Sequence, residues 1–302
     1  MEAPTYEEYL EEAKKENSRL IDAIKQSTAR NLPKGVVPAK KQIIALCTPT
    51  LGMASFWWFG GVMHQLWPMN TTKAVLPMLD KVGRKTGIPE IAELRNRCVQ
   101  TMLALENEHT TVEGIFWLDD DVIVGPSALC ALLRHEADIV SGVYFCKGDL
   151  PQPLLFGGPS SGTVPFIPCA KDEGPGSTMP IWGWAQGLSY TRMEVYKRVR
   201  DELDIGTDKY GAPLWYEPNT FKVVNGQVMQ GGTEDFPFFE KVARLGYQPI
   251  VDLTHHAFGY HYDAANDIGY PKAQWEQWSN RLPVVWPANR HRKEEVVWPN
   301  MR

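Results

Sequence analysis

The chain has 302 residues, 43% hydrophobic and 22% charged, a balance that supports one large folded domain or two ordinary ones and excludes a disordered or fibrous polypeptide. Thirty-one basic residues against 36 acidic ones leave a net charge of -5, which gives no global attraction to nucleic acid or to an anionic membrane surface. The five cysteines, Cys47, Cys98, Cys130, Cys146 and Cys169, are odd in number and contain no C-x-x-C pair, so reduced thiols and a cytoplasmic setting are expected rather than a disulfide framework.

Residues 1–35 read as a peripheral helical arm, with dense Glu and Lys, sparse apolar positions (Tyr9, Leu10, Leu20, Ile21, Ile24) and no apolar core of a secretory signal. From Gln42 to Thr72 there is no Lys, Arg, Asp or Glu, a length that raises a membrane span. Thr48, Pro49, Thr50, Gly52, His64 and Gln65 interrupt that run, so it reads instead as a buried strand at Ile43–Leu46, a turn and an aromatic amphipathic helix, with no membrane contact. Ile91, Leu94, Cys98, Val99, Met102 and Leu103 recur at three- and four-residue spacing and predict a helix from Pro89 to Glu108. A strand at Gly114–Leu118, a helix at Pro126–Arg134 and a strand at Asp138–Phe145 follow.

This alternation predicts an α/β fold with a mostly parallel central sheet flanked by helices, in which ligands gather at the carboxyl ends of the strands. Between Cys146 and Trp184 the prolines at 151, 153, 159, 165, 168, 175 and 180 predict a long irregular loop over a site. Helical patterning resumes at Met193–Leu203 and Asp235–Leu245. Residues 36–265 form the central unit. Residues 266–302 read as an aromatic and basic extension carrying Trp275, Trp278, Trp286, Trp298 and the run Asn289–Lys293, a contact surface for DNA or a solvated tail.

Four constellations carry chemistry. Asp119, Asp120 and Asp121 follow a buried strand; in extended chain Asp119 and Asp121 share a face while Asp120 points away, which suits a hard divalent cation (Mn2+ or Mg2+) and the diphosphate it neutralises. A solvated acidic turn is the bland alternative. Glu234 and Asp235 stand behind Gly231 and Gly232 at the start of a helix, where a carboxylate serves as general base or Thr233 or Asp235 merely caps. His255, His256 and His261 fall within seven residues, either completing a metal shell begun by Asp121 or filling structural roles. Arg95, beside Asn96, borders the apolar face of its helix, placed to pair with a diphosphate or with Asp119, or to make a surface ion pair.

Arg95-Asn96, the strand into Asp119-Asp120-Asp121, Asp138-Ile139-Val140-Ser141-Gly142, Trp184-Ala185-Gln186-Gly187 and Thr233-Glu234-Asp235 come in an order that resembles glycosyltransferases of the GT-A fold, over about residues 40 to 262. The likeness is strongest to compact single-domain members encoded by bacteria and bacteriophages, some of which glycosylate modified bases in DNA. It implies a Rossmann-like catalytic domain using a nucleoside-diphosphate sugar, UDP-sugar favoured, with DNA or a glycan as candidate acceptor and, for a phage protein, the host cytoplasm as its setting. It further implies Thr48, Pro49, Arg95, Asp119 and Asp120 around the nucleotide, Asp121 with Asp119 at the metal, and a further metal ligand among His255 and His256. Trp184, Gln186 and Gly187 would border the acceptor, with aromatics stacking on a sugar or base, and Asp235, beside Glu234, would be the base of an inverting displacement.

Two other classes compete. A sugar-nucleotide pyrophosphorylase needs a glycine- and lysine-rich loop after the first strand, where this chain reads Thr48-Pro49-Thr50-Leu51-Gly52-Met53 without a basic residue. A non-catalytic carbohydrate-binding protein accounts for eleven tryptophans and eleven tyrosines, but not for a buried strand that feeds three acids.

Overall fold

The computed structural model describes residues 41–50, 58–59, 61–62, 74–81, 91–107, 110–125, 127–147, 152–157, 177–208, 211–217, 221–224, 227–230, 233–266 and 268–271. The expected helical arm over 1–35, Cys169, Gly231, Gly232 and the tryptophans and basic run beyond 271 lie outside the described residues.

The central sheet has seven strands in the order β2-β1-β3-β9-β5-β12-β7. In chain order these are β1 (Lys41–Thr50), β2 (Ala74–Lys81), β3 (Thr110–Leu118), β5 (Ile139–Ser141), β7 (Thr178–Pro180), β9 (Leu188–Arg192) and β12 (Ile250–Asp252). Around it run α1 (Ile91–Leu105), β4 (Val122–Val124), α2 (Ala128–Leu133), the paired β6 (Leu155–Phe156) and β8 (Gly183–Trp184), α3 (Met193–Glu202), the hairpin β10 (Phe221–Val224) and β11 (Gln227–Gln230), α4 (Asp235–Arg244), a 3-10 turn (His255–Ala257), and β13 (Gly259–Asp263) with β14 (Ile268–Tyr270).

The fold is α/β, but the sheet is mixed rather than mostly parallel. β1 pairs in parallel with β2 and β3, and β5 with β12; β9 runs antiparallel between β3 and β5, and β7 is antiparallel to β12. The physical reason is the route of the chain. The proline-bearing segment links β5, which ends at the carboxyl edge of the parallel strands, to β9, which starts at that edge, so β9 must run backwards. That segment also contributes β6, β7 and β8 instead of being irregular throughout.

Alternation along the strands sorts the core into two layers. Ala45 and Cys47 of β1, with Ile115 and Trp117 of β3, pack toward α1, α3 and α4. Ile44, Leu46, Phe116 and Leu118 face the other way, onto α2, β4 and β13. α1 buries Leu94, Cys98, Val99 and Met102 of the stripe its spacing predicts, while Ile91, at the first turn, is exposed and Leu103 only partly buried, and α4 buries Phe238, Phe239 and Val242. Among the described residues Cys47, Cys98, Cys130 and Cys146 are free thiols, and no helix is long and apolar enough to cross a membrane.

Candidate active site

β3 ends at Leu118, and the three aspartates form the turn that starts β4. The Asp119 amide donates to the Gly187 carbonyl at 3.1 Å, and the Val122 amide closes the turn onto the Asp119 carbonyl at 3.1 Å. The side chains then diverge. Thr50, at the end of β1, donates its hydroxyl to Asp120 Oδ2 at 2.6 Å. Asp119 meets Arg95 of α1 at 3.3 Å, and Asp121 receives Lys147 Nζ at 2.6 Å and lies 3.1 Å from His261 Nε2.

His261 is set there by register. β13 pairs antiparallel with β4 so that His261 stands opposite Val122, and the Tyr262 amide donates to the Asp121 carbonyl at 2.6 Å. The other ring nitrogen, Nδ1, lies 2.9 Å from the Phe145 carbonyl. A carbonyl oxygen only accepts, so Nδ1 carries a proton; Nε2 donates to the Asp121 carboxylate when the ring is doubly protonated and turns a lone pair to it when the ring is neutral. An imidazole lone pair and a carboxylate oxygen converging on one point, with the far N–H tied to a carbonyl, fit a hard divalent cation. Among the described residues no group of three or more His, Cys, Asp or Glu is arranged to hold a metal, so a cation held by Asp121 and His261 would take its remaining oxygens from water or a phosphate-bearing ligand.

The second half of the site is organised by Arg95, which is only 2% exposed. Its guanidinium lies over the Trp117 ring at 5.1 Å and reaches Glu234 and Asp235, each at 3.5 Å, as well as Asp119. Asp235, at 5% exposure, begins α4, yet α4 has no side-chain cap hydrogen bond. The Asp235 carboxylate instead takes the Gln186 amide on Oδ2 at 3.4 Å, and Oδ1 lacks a hydrogen bond. Capping therefore does not account for this residue. Burial, then the neighbouring Glu234 charge, raise its carboxyl well above the ordinary range, with Arg95 opposing.

Asp119 and Asp121, expected to share a face and a metal, instead point to Arg95 and to His261 because the chain turns between them, and the same balance shifts them in opposite directions. Burial raises Asp119 to about 6, against Arg95 and assisted by the charges of Asp121 and Glu234. Burial would raise Asp121 too, but hydrogen bonds and charge from His261, then Lys147, outweigh it and hold that carboxyl at about 2. Two neighbouring acids with opposite shifts are a common mark of a working site.

Beneath these groups lies a buried polar network. Trp117 Nε1 donates to the Tyr196 hydroxyl at 2.8 Å, which meets the Tyr216 hydroxyl at 3.0 Å, which accepts from Gln186 Nε2 at 3.1 Å. Asn96 clasps the Tyr216 backbone, donating to its carbonyl at 2.8 Å and accepting from its amide at 2.9 Å. Above it, the Gly187 amide donates to the Tyr144 hydroxyl at 3.1 Å. A Cβ at Gly187 would stand 2.5 Å from the Tyr144 oxygen and 2.6 Å from Asp119 Oδ2, so any larger residue would push one of these side chains aside.

The structure brings Arg95, Asp119, Asp121, Glu234, Asp235 and Gly187 together as the sequence reading expects, with Asp120 turned to β1. Three expectations are corrected. Asp121 is partnered by His261 rather than by His255 or His256: His256 Nδ1 meets the Ser127 hydroxyl at 2.9 Å, and His255 is exposed on the 3-10 turn, because the turn faces α2. Trp184 is 0% exposed, packed on Phe238 and Phe239, and cannot stack on an acceptor. Gln186 is likewise buried, its side chain spent on Tyr216, Ser189 and Trp184.

Thr48 and Pro49 sit at the carboxyl end of β1; Thr48 is fully buried, and its hydroxyl has no hydrogen-bond partner among the described residues. Lys147, Tyr144 and Tyr216 escape sequence reading because nothing in their local pattern marks them. His261 carried a signal, the odd-residue alternation of β13 opposite β4, visible only once that pairing is known. Comparison with protein-family models and with curated proteins finds no match to the chain.

Proposed function

We propose that this chain is a cation-dependent glycosyltransferase of GT-A type, moving a sugar from a nucleoside-diphosphate sugar, UDP-sugar favoured, to an acceptor hydroxyl with inversion. One observation carries the reading: the turn that ends β3 puts the Asp121–His261 pair on one side and the Arg95-held acids Asp119, Glu234 and Asp235 on the other. The carboxyl edge of an α/β sheet is where such ligands bind.

In this mechanism the Asp235 carboxylate, whose Oδ1 makes no hydrogen bond and lies 3.5 Å from Arg95 Nε, accepts the proton of the acceptor hydroxyl as that oxygen attacks the anomeric carbon. Its raised carboxyl range suits a base that must hold a proton at the transition state and release it afterwards. Arg95 offsets the acid cluster of Asp119, Glu234 and Asp235, which keeps those carboxylates together beside the reacting centre. Asp121 and His261 would hold Mn2+ or Mg2+, which neutralises charge on the departing diphosphate when bound. The carboxyl end of β1 with Asp120 lies on the nucleoside side, and Gly187 borders the acceptor through its backbone. Trp117, Trp184 and Trp215 are spent in the core, which weakens the reading of the tryptophans as a carbohydrate-binding face. DNA and a glycan remain the candidate acceptors, and a cytoplasmic setting belongs to the same proposal.

The test is turnover of UDP-sugars by the purified protein with Mn2+. Asp121→Asn and His261→Ala should each lower turnover by about 100-fold or more, whereas His256→Ala should stay within a few-fold of the parent. Asp235→Asn should bind donor and fail to transfer. Full turnover in Asp121→Asn would remove the cation site from the mechanism.

A further inference from the structure

Lys147 lies where a chain rich in carboxylates needs a cation that is not fixed. Arg95 is committed to Asp119, Glu234 and Asp235. Asp121 is compensated from the other side, by Lys147 Nζ at 2.6 Å on Oδ2, the same oxygen that His261 Nε2 approaches at 3.1 Å. The ammonium thus stands on the oxygen that converges with the imidazole lone pair.

The two cations differ in how firmly they are held. Arg95 is buried and planar, held by several partners at once. Lys147 and Asp121 have side chains 39% and 38% exposed, and such a solvent-facing pair contributes little to stability and exchanges readily. The Lys147 backbone is steadied nearby, since Phe145 bridges to Pro153 and the Cys146 amide donates to the Gln152 carbonyl at 2.9 Å. The four-carbon stem is therefore free to swing while its root stays in place. A divalent ion and an ammonium repel each other strongly across one carboxylate oxygen, so both cannot hold Asp121 Oδ2.

We propose that Lys147 is the resident counter-ion of this site: it neutralises Asp121 in the empty protein, yields that oxygen to the incoming divalent cation, and then pairs with the diphosphate. This rests on the cation site proposed above and adds a phosphate-binding residue to it. The flexible stem and point charge of lysine suit that exchange, whereas a forked guanidinium would stay docked on the carboxylate.

The experiment uses the full chain and Lys147→Met, which keeps the stem and deletes the charge, with Mn2+ and then UDP titrated calorimetrically. Loss of the competitor should tighten Mn2+ binding about three- to fivefold, the worth of an exposed ion pair. In the Mn2+-saturated protein, loss of the phosphate contact should weaken UDP about tenfold, and Lys147→Arg, whose guanidinium stays docked on Asp121, should bind Mn2+ more weakly than the parent and leave the UDP loss unrecovered. A lysine acting only as a nearby charge would be replaced by arginine without loss, whereas one that must leave Asp121 would not. Equal Mn2+ affinity in parent and Lys147→Met, or unchanged UDP affinity, overturns the assignment. Failure of both proteins to bind Mn2+ overturns the cation site itself.

Discussion

Asp119 works against the fold that holds it. Its carboxyl rises from 3.8 to about 6 because burial penalises the charge more than Arg95 repays it. Between those values the folded chain binds more protons than the unfolded one, so stability falls as pH climbs from about 4 through 6 and stays lowered above. Asp119→Asn, which keeps the shape without the charge, should stabilise the ligand-free protein by about 2 to 3 kcal/mol at pH 7.5 and have almost no effect at pH 4, measured by urea unfolding at both pH values. An equal effect at the two pH values would mean that the ionised form is not the costly one. The residue scale is also where sequence reading reached furthest and stopped most sharply. Alternation set Asp120 apart without any coordinates but grouped Asp119 with Asp121, which the turn sends to Arg95 and to His261. It could not choose among three histidines, since the choice depends on which strand lies opposite Val122.

At the scale of elements, α1 does two jobs with adjacent residues. Arg95 gathers the acids, and Asn96, one position on, holds residues 211–217 through both backbone polar groups of Tyr216. Tyr216 in turn feeds the hydroxyl chain under the site. Asn96→Ala leaves a buried amide and a buried carbonyl unpaired, and should cost about 2 to 4 kcal/mol in denaturant unfolding. Retained stability would show that water substitutes for the clasp. α1, α3 and α4 were legible because long amphipathic periodicity is a strong signal. β9 was not: in Leu188–Arg192 every second residue is polar, yet Ser189 and Thr191 are as buried as Leu188 and Tyr190. A central strand with polar residues on a covered face resembles a surface segment when read alone. Trp184 misled for the opposite reason, since a tryptophan beside a glycine suggests a stacking platform until Phe238 and Phe239 are seen against it.

For the molecule as a whole, the carboxyl edge gathers every proposed functional group, and a second charged cluster at the same edge holds the layers together. Asp252, at the end of β12 and 0% exposed, accepts from Arg134 at 3.0 Å and from the Thr254 amide at 2.8 Å, and lies 2.9 Å from His135 Nε2. It binds the segment after α2 to the turn that leads into β13. Asp252→Ala should destabilise by about 3 kcal/mol, because Arg134 and His135 lose their shared anion, with a lowered denaturation midpoint as the readout. An unchanged midpoint would leave the two layers held by packing alone. The α/β class followed from strand and helix alternation, but the mixed sheet did not, because strand direction depends on the path of residues 146–187 and not on their composition.

The pairing of β13 with β4 also dictates an order of events. His261 and Asp121 are 140 positions apart, so their meeting closes a very long loop, whose entropic cost is met only after nearer contacts such as β1 with β3 have formed. Affinity for the proposed divalent ion should therefore emerge last during refolding, and ion uptake would then serve as a clock for completion of the native state.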